Sequence, residues 1–497
     1  MWWRGRGRGA LLVLAVVLAG CATTPDRPAR PVGDRPNIVY LLADDLDVGS
    51  VWAMPNLRRL LIDQGTSFNN FFASYPLCCP SRATVLRGQY AHNHGVLGNV
   101  PPRGGFRVFH ERGHENSTVA TWLQAAGYRT ALMGKYLNLY PDGVEDSYVP
   151  PGWDEWQAST ERGFNGFDYV LHANGMVTSY GQQPQDYLTD VLSRRANDFV
   201  RASAREPFFL YLAPQAPHWP ATPAPRHVSM FADATAPRPG SFNEPDVSDK
   251  PSWIRDLPPL TIEQQATVDA VYRKRLASLQ AIDEMIASLI DTLTGTGQLA
   301  NTYFVFNSDN GFTFGTHRAG VGKNTAYDED IRVPLIVRGP SVPAGRTREQ
   351  LTGNIDLAPT FAELAGVPAP DFIDGRSLVP LLREDPPSTA TWRQAYLIEH
   401  ESIPADRPKP PPWMREQQEP TFNRPNVPTL RGLRTSQYLY VEYTTGDREL
   451  YDLAADPAEL TNLAPTADPR LLDTLTNQLH AMRECQAKTC RAAEISR

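Results

Sequence analysis

The hydrophobic positions of the chain alternate between short continuous runs and longer helical repeats. Four runs are apolar and rich in β-forming residues, as expected of strands buried on both faces of a parallel sheet. These runs are Asn37–Ala43, Pro207–Leu212, Thr302–Phe306 and Val333–Val337. Between them, apolar residues recur every three or four positions from about Ile262 to Leu293, which predicts an amphipathic helix. Strands that alternate with helices predict an α/β fold with a large, mostly parallel sheet flanked by helices.

Other segments extend this picture. A shorter helix is predicted over Ser117–Ala126, with its first residue as the N-cap. Near the C-terminus, Tyr438–Tyr443 and Glu449–Leu453 alternate like hairpin strands around the turn at 445–447. A terminal helix is predicted from about Pro469 to Met482. This last part of the chain therefore predicts a small C-terminal α+β subdomain.

The first 20 residues have the features of an export signal. Three arginines precede an uncharged apolar run, Ala10–Leu18, which is too short for an ordinary membrane span. The run ends in Leu18-Ala19-Gly20-Cys21, which resembles a bacterial lipobox; a plain secretory signal with a chance cysteine is the alternative. We therefore expect residues 1–20 to be a lipoprotein signal peptide and Cys21 to be lipidated. The protein would be exported and held on the outer face of the bacterial cytoplasmic membrane by this lipid alone.

Two units are predicted after a proline-rich tether at 21–36. Residues 37–384 would form the α/β domain that holds any catalytic site, and 385–497 the C-terminal subdomain. The stretches 214–260 and 402–428 are rich in proline and have no core pattern. Long structured loops often rim a ligand site, so both are interpreted as insertions on the substrate side; plain surface excursions are the alternative.

Composition and charge narrow the class of protein. Of 497 residues, 41% are hydrophobic and 21% are charged, as in ordinary globular proteins. The formal net charge of −7 offers no basic surface for nucleic acid. Five cysteines are too few for a disulfide scaffold of this length. Cys485 and Cys490 lie close together beyond the last predicted helix and can form a local disulfide.

Acidic residues follow two of the predicted strands. Asp44 and Asp45 end the first strand, and Asp309 and Asn310 follow the strand at 302. Ligands of open α/β sheets bind beyond the carboxyl ends of the strands. Carboxylate and amide oxygens suit Ca²⁺ or Mg²⁺ better than zinc. Helix capping would explain the first pair alone, but two acidic strand ends together favour a divalent-metal site.

A cysteine motif carries the sharpest chemical signal. In Leu77–Gly88, Pro80 fits an early helical position, so Cys78 and Cys79 would lie at a helix N-terminus, which favours anions. Arg82 adds positive charge there. The residues alone indicate an activated group beside an oxyanion, with a thiol nucleophile as the first interpretation.

Here the sequence resembles the type I sulfatase family, whose signature is Cys-x-Pro-Ser-Arg followed by Leu-x-Gly. Arg87 stands where the family usually has threonine. Lys135-Tyr136-Leu137-Asn138 replaces the common Lys-Trp-His and looks more like the N-acetylglucosamine-6-sulfatase branch, which removes a histidine base at that point. The matching segments, in order, are Asp44-Asp45, Cys78–Gly88, Gly127–Tyr136, Ala216–Pro220, Ser308–Gly311, Gly322–Pro334 and Glu449–Leu463.

The resemblance implies an alkaline-phosphatase-like fold and a formylglycine-dependent sulfatase. A formylglycine-generating enzyme would oxidise Cys78 to Cα-formylglycine, whose hydrate supplies the nucleophile. Arg82 would hold that group, Lys135 and Lys323 would grip sulfuryl oxygens, and His218 would donate a proton to the leaving oxygen. Ca²⁺ or Mg²⁺ would be bound by the set Asp44, Asp45, residue 78, Asp309 and Asn310.

Three further histidines are candidates for substrate contact. His317 lies between the second metal pair and Lys323. His92 and His94 follow the cysteine helix, and the alternative for both is a structural role.

The function predicted from the sequence is hydrolysis of a sulfate monoester on a sulfated sugar resembling glucosamine-6-sulfate. One alternative is a phosphodiesterase or phosphonate monoester hydrolase of the same superfamily. The other is an exported lipoprotein that binds sulfated glycans without catalysis, although a pure binder has no need of Cys78.

Overall fold

The structure is a computed structural model that describes residues 1–2, 35–160, 165–402, 419–424 and 426–495. The lipobox with Cys21, the apolar run before it and most of the predicted tether lie outside these residues. So do positions 403–418 of the proline-rich loop. None of the helices in the described ranges is both long and apolar enough to cross a membrane.

A large sheet forms the centre of the part of the chain that the structure describes. Its ten strands are β1 (Asn37–Ala43), β2 (Thr66–Phe68), β4 (Arg129–Lys135), β5 (Glu155–Ser159), β6 (Val170–Ala173), β7 (Met176–Ser179), β8 (Phe208–Ala213), β9 (Thr302–Ser308), β12 (Leu335–Arg338) and β13 (Arg346–Arg348). Across the sheet they are ordered β13-β2-β12-β9-β1-β8-β4-β5-β6-β7. The central strands β9, β1, β8, β4 and β5 run parallel, whereas antiparallel pairs occur toward both edges. The predicted α/β fold is confirmed.

One strand departs from the prediction. The apolar run at 333–337 was expected to be a parallel strand, but β12 pairs with β9 in the antiparallel direction. A parallel return needs a crossover of a dozen or more residues, usually a helix on the sheet face. The chain between β9 and β12 instead forms a small hairpin of β10 (Thr313–Phe314) and β11 (Val321–Gly322), then a single helical turn, Asp328–Ile331.

Helices pack on both faces of the large sheet, with α6 and α8 on one face and α5 and α10 on the other. The helices of the described ranges are α1 (Pro55–Leu57), α2 (Cys78–Arg87), α3 (Ala91–His94), α4 (Gly105–Glu111), α5 (Val119–Ala125), α6 (Leu188–Ala202), α7 (Ser252–Arg255), α8 (Ile262–Gly295), α9 (Asp328–Ile331), α10 (Leu357–Leu364), α11 (Pro469–Arg483) and α12 (Lys488–Ala493). The predicted long helix is confirmed as α8. In α5 the N-cap is Thr118 rather than Ser117, and its backbone nitrogen donates to Thr121 Oγ1 at 3.0 Å.

The first strand shows why its sequence is apolar without interruption. Val39 and Leu41 pack into a cluster with residues of α6 and α8 on one face of the sheet. Ile38, Tyr40 and Leu42 pack into a second cluster with residues of α5 and α10 on the other face. Because both faces are buried, every position of β1 must be compatible with a core.

The C-terminal region contains a separate antiparallel sheet of β15 (Ala395–His400), β16 (Leu430–Thr435), β17 (Tyr438–Tyr443) and β18 (Arg448–Asp452). Residues of α11, including Leu475 and Leu479, share its hydrophobic cluster. Cys485 and Cys490 form a disulfide just beyond α11. A two-stranded sheet of β3 (Phe71–Phe72) and β14 (Thr352–Gly353) lies in the α/β part. The small α+β unit predicted from alternation is thus confirmed.

Candidate active site

The two acidic strand ends lie side by side. β1 and β9 pair in parallel with Ala43 opposite Ser308, so the residues that follow each strand emerge together. The backbone nitrogen of Asp45 donates to Asp309 Oδ1 at 3.0 Å, and Asn310 Nδ2 donates to Asp45 Oδ1 at 2.8 Å. The side chains of Asp44, Asp45, Asp309 and Asn310 are all buried. The parallel register therefore gathers hard oxygen donors at one edge of the sheet.

Cys78 faces these carboxylates from the start of α2. Its sulfur lies 3.5 Å from Asp44 Oδ1 and 3.8 Å from Asp45 Oδ1. Ligand atoms of Asp44, Asp45, Cys78 and His218 all fall within 4.8 Å of one another. The helix begins at Cys78 itself, with Leu77 as an extended N-cap, as the motif predicts.

Two lysines approach the same group from different elements. Lys323, just after β11, places Nζ 2.8 Å from Cys78 Sγ and also contacts Asp45. Lys135, the last residue of β4, places Nζ 2.7 Å from Asp44 Oδ2. Both side chains are buried. Residue 78 is thus flanked by two ammonium groups, a suitable arrangement for a tetrahedral anion.

Arg82 links the helix to the metal-side carboxylates. It is fully buried, and its Nε donates to Asp309 Oδ2 at 2.8 Å, while Nη2 lies 3.7 Å from Asp44 Oδ2. Its Nη1 donates to the backbone oxygen of Lys135 at 2.9 Å. Since Arg82 is one helical turn after Cys78, these bonds fix the orientation of the helix start.

His218 occupies the rim of the cluster. Its Nε2 lies 3.7 Å from Asp45 Oδ2, and its Nδ1 is 2.6 Å from the backbone oxygen of Trp219. The loop that carries it is tied to the first acidic pair, because the Asp44 nitrogen donates to Ala216 O at 3.3 Å. The side chain is 13% exposed and can reach a group that arrives from solvent.

The buried charges shift one another strongly. Burial raises the pKa of the Asp44 carboxyl, but Lys135, His218 and Arg82 outweigh it and hold that pKa well below its ordinary value. Burial and the neighbouring Asp44 raise the pKa of Asp309. Burial also raises the pKa of the Cys78 thiol well above its ordinary value, against the influence of the two lysines. An unmodified Cys78 would therefore stay protonated at neutral pH, which disfavours a thiolate nucleophile.

The residues present fit a hard divalent cation. Within the described ranges, no hydrogen bond reaches Asp45 Oδ2 or Asn310 Oδ1, although both atoms are buried. Buried oxygens without a donor are unfavourable unless a cation satisfies them. The three carboxylates and one amide offer only oxygen ligands, which are those that Ca²⁺ and Mg²⁺ prefer.

Comparison with known proteins agrees with this geometry. Residues 36–367 match the model of the Sulfatase family. The human N-acetylglucosamine-6-sulfatase is 35% identical over 97% of this chain and 90% of its own length. The chain belongs to the sulfatase family. The prediction of a sulfuric ester hydrolase is confirmed by this membership and by the curated sulfatase relatives.

Solved structures show the same sulfatase-family architecture. One, described as a complex with its substrate D-glucosamine-2-N,6-O-disulfate, is 25% identical with a TM-score of 0.75, covering 92% of this chain and 98% of its own. A phosphonate monoester hydrolase from Silicibacter pomeroyi has a TM-score of 0.69 at 24% identity, covering 93% and 96%. The second likeness concerns the fold alone.

The structure does not bring the other three histidines to the cluster. His317 is fully buried, with Nδ1 2.6 Å from Glu244 Oε2 and its ring 4.3 Å from that of Tyr327. His92 lies between Glu399 and the backbone oxygen of Cys485, at 3.1 and 2.8 Å. The buried ring of His94 is 3.0 Å from Thr84 Oγ1. These contacts hold the three rings against other parts of the fold. Closeness in sequence to Lys323 or to the cysteine motif therefore does not place these histidines in the site.

Two further residues near the sulfatase site follow no pattern from which the sequence predicts them. Arg275, in the middle of α8, reaches the backbone of the first acidic pair. Glu419, in the proline-rich stretch, is 6% exposed. Burial raises the pKa of its carboxyl, but the positive charges of Arg424, His218 and Lys323 outweigh burial and hold that pKa below its ordinary value. No family motif marks either one.

Proposed function

We propose that this protein hydrolyses sulfate monoesters of sulfated sugars, with a substrate resembling glucosamine-6-sulfate. The observation that carries the reaction type is the convergence of Asp44, Asp45, Cys78 and His218 within 4.8 Å, with Lys323 Nζ on the sulfur. The substrate class is supported by the human relative and by the solved glucosamine disulfate complex. It is further supported by the Lys-Tyr-Leu-Asn segment at 135.

Two groups that the chain would acquire complete the site. A divalent cation, Ca²⁺ or Mg²⁺, would be held by Asp44, Asp45, Asp309, Asn310 and residue 78, and would polarise a sulfuryl oxygen and favour an ionised hydroxyl. Cα-formylglycine formed from Cys78 would, as its hydrate, supply the attacking hydroxyl and a second hydroxyl through which sulfate is released. A formylglycine-generating enzyme would be required for this maturation.

The side chains of this protein would then act on the sulfate ester. Lys135 and Lys323 would bind sulfuryl oxygens and offset the negative charge of the transition state. His218 would give a proton to the sugar oxygen as the sulfur–oxygen bond breaks. Arg82 would keep Asp309 and Asp44 in place against their mutual repulsion.

The leaving-group side would be formed by the end of the proline-rich stretch. Residues 419–424 dock on the β10–β11 hairpin, where Gly320 N donates to Asn423 O at 2.9 Å and Asn423 Nδ2 donates to Arg318 O at 3.1 Å. This hairpin leads directly into Lys323. A sugar whose ester group lies between Lys323 and His218 would therefore extend toward Glu419.

The test is turnover of matched esters by protein co-produced with a formylglycine-generating enzyme. We expect release of inorganic sulfate from glucosamine-6-sulfate, loss of activity on chelation of divalent metal, and recovery with Ca²⁺. Faster cleavage of a phosphonate monoester than of any sulfate ester would overturn the proposed reaction. A mass spectrum of the peptide containing residue 78 separates catalysis from binding, since an intact thiol in this protein would support a non-catalytic lipoprotein.

Membrane anchoring is a separate proposal that depends on Leu18-Ala19-Gly20-Cys21. The lipid on Cys21 would hold the enzyme on the outer face of the cytoplasmic membrane. In a bacterial host we expect the full chain to partition into detergent and a Cys21→Ser variant to be released in soluble form. Equal partition of the two proteins would contradict lipidation.

A further inference from the structure

Arg275 lies on the inward face of α8, where the helical pattern otherwise places apolar side chains such as Leu276 and Leu279. Its side chain is 1% exposed, and within the described ranges the one carboxylate oxygen within 4.0 Å is Asp47 Oδ2, at 3.9 Å. Burial of a guanidinium is unfavourable unless hydrogen bonds compensate. Packing of the helix against the sheet does not by itself account for this residue.

The guanidinium touches three loops, each of which carries part of the site. Its Nη2 donates to the backbone oxygen of Asp45, which follows β1. Its Nη1 donates to the backbone oxygen of Pro217, next to His218, at 3.1 Å. Its carbon Cζ lies 3.9 Å from the ring centre of Phe312, which follows Asp309 and Asn310. These loops are separated in sequence, and one side chain joins them.

The loop at Asp45 needs such support. Asp45 has a φ of 67°, in the left-handed region that residues with a Cβ atom rarely occupy. A conformation of this kind persists where the surrounding structure over-determines it. The bond from Arg275 to the Asp45 carbonyl holds the peptide that directs the Asp45 carboxylate toward Cys78 and Lys323.

We propose that Arg275 is a positioning residue that fixes Asp45 for the cation and His218 for the leaving group. The inference rests on the proposed function, because it assigns Arg275 to that same site. Lysine is no substitute here, since its single ammonium lacks the planar fork that lets Arg275 donate to two carbonyls at once.

The test is the calcium affinity of the full chain after removal of metal, measured by titration calorimetry and by the calcium-induced rise in Tm. Residues that orient metal ligands typically change metal affinity or activity about 10–100-fold when mutated. We expect a loss of that size in calcium affinity for Arg275→Lys, with a parallel fall in kcat. Arg275→Gln, which removes the buried charge and keeps one amide donor, should show the same loss if the lysine variant folds poorly.

Arg393 provides a matched control. It is also 1% exposed, but it pairs with Asp356 and Glu494 away from the cluster. Arg393→Lys should lower Tm and leave calcium affinity and kcat per folded molecule unchanged. If both Arg275 variants kept the calcium affinity and kcat of the wild type, the positioning role of Arg275 would be overturned, and the proposed function would be unaffected. Absence of both calcium and magnesium binding by the unchanged protein would overturn the proposed metal site and this inference together.

Discussion

The ammonium group of Lys323 lies 2.8 Å from the sulfur of Cys78 and also contacts Asp45. It therefore links the residue expected to become the nucleophile with a residue expected to bind metal. Lys323→Gln should reduce kcat for a sulfate ester by about 10²–10³-fold, because a preorganised charge at the sulfuryl oxygens is lost. Steady-state kinetics check this, with the exposed Lys488→Gln as control. An increase confined to KM would show that Lys323 binds the ground state and the transition state equally and does not lower the barrier from the bound substrate.

The two adjacent cysteines should differ completely in their effect on activity. Cys78→Ala should lower turnover by about 10⁴-fold or more, since no nucleophile remains. Cys79→Ala removes an equally buried sulfur and should cost about 1 kcal/mol of stability while turnover persists. Activity and denaturant midpoints of both variants test this. Residual activity in Cys78→Ala comparable to that of Cys79→Ala would refute the assigned nucleophile.

Replacement of His218 should depend on the leaving group. A general acid typically increases the reaction rate about 10²–10⁴-fold, and the increase is largest where the departing oxygen is strongly basic. His218→Ala should therefore lose far more activity on a sugar sulfate than on 4-nitrophenyl sulfate, whose phenolate leaves without a proton. The ratio of kcat/KM for the two substrates measures this. Equal losses on both would argue that His218 serves Asp45 rather than the leaving group.

Glu419 should affect sugar substrates selectively. Within the described ranges its hydrogen bond is with Arg424, whose Nη1 donates to Oε2 at 3.0 Å. Glu419→Gln should raise KM for glucosamine-6-sulfate about tenfold, the effect of losing one hydrogen bond to a charged group. The KM for an aryl sulfate should change little. In the surface control Glu384→Gln, the KM for each of the two substrates should stay unchanged. An equal change for both substrates would indicate a general electrostatic effect.

Asp330 should make stability depend on pH. It is fully buried, Thr325 N and Oγ1 donate to its Oδ2 at 2.9 and 2.8 Å, and burial raises its pKa to about 8. The folded state therefore binds this proton more tightly than the unfolded state. The resulting stability is complete below pH about 4 and is lost as the pH rises through about 8.

Asp330→Asn can keep both bonds from Thr325 and cannot ionise. Its stability relative to the parent should increase from pH 5 to 8, by up to about 1.4 kcal/mol for each pH unit. Urea denaturation across this range measures the difference. A difference that does not vary with pH would show that Asp330 does not titrate in this window.

The sequence predicted the centre of the site because its residues follow patterns with a physical cause. A strand buried on both faces must be apolar throughout, so the ends of β1 and β9 could be located, and with them Asp44 and Asp309. Pro80 predicts the helix that begins at Cys78. The sequence does not predict the direction of β12, because an apolar run has the same composition in a parallel strand as in an antiparallel one.

Other residues lay beyond what a pattern can show. An arginine in a long helix is normally solvated, and only the packing of α8 places Arg275 beneath three loops. Glu419 lies within the proline-rich stretch 402–428, which has no periodicity, and its position depends on how residues 419–424 contact the hairpin. His317 precedes Lys323 by six positions, yet the hairpin turns its ring toward Glu244.

The complete burial of Cys78 has a consequence for biogenesis. Its side chain has no exposed surface once α2 is packed behind Asp44, Asp45 and Lys323. Under the proposed function, the enzyme that oxidises this cysteine would have to reach it before α2 packs against these residues. Because β1 and β9 are more than 250 residues apart in the chain, the acidic cluster that buries residue 78 would be complete only after β9 has been made. On this proposal, a molecule that folded before oxidation would keep its thiol and remain inactive.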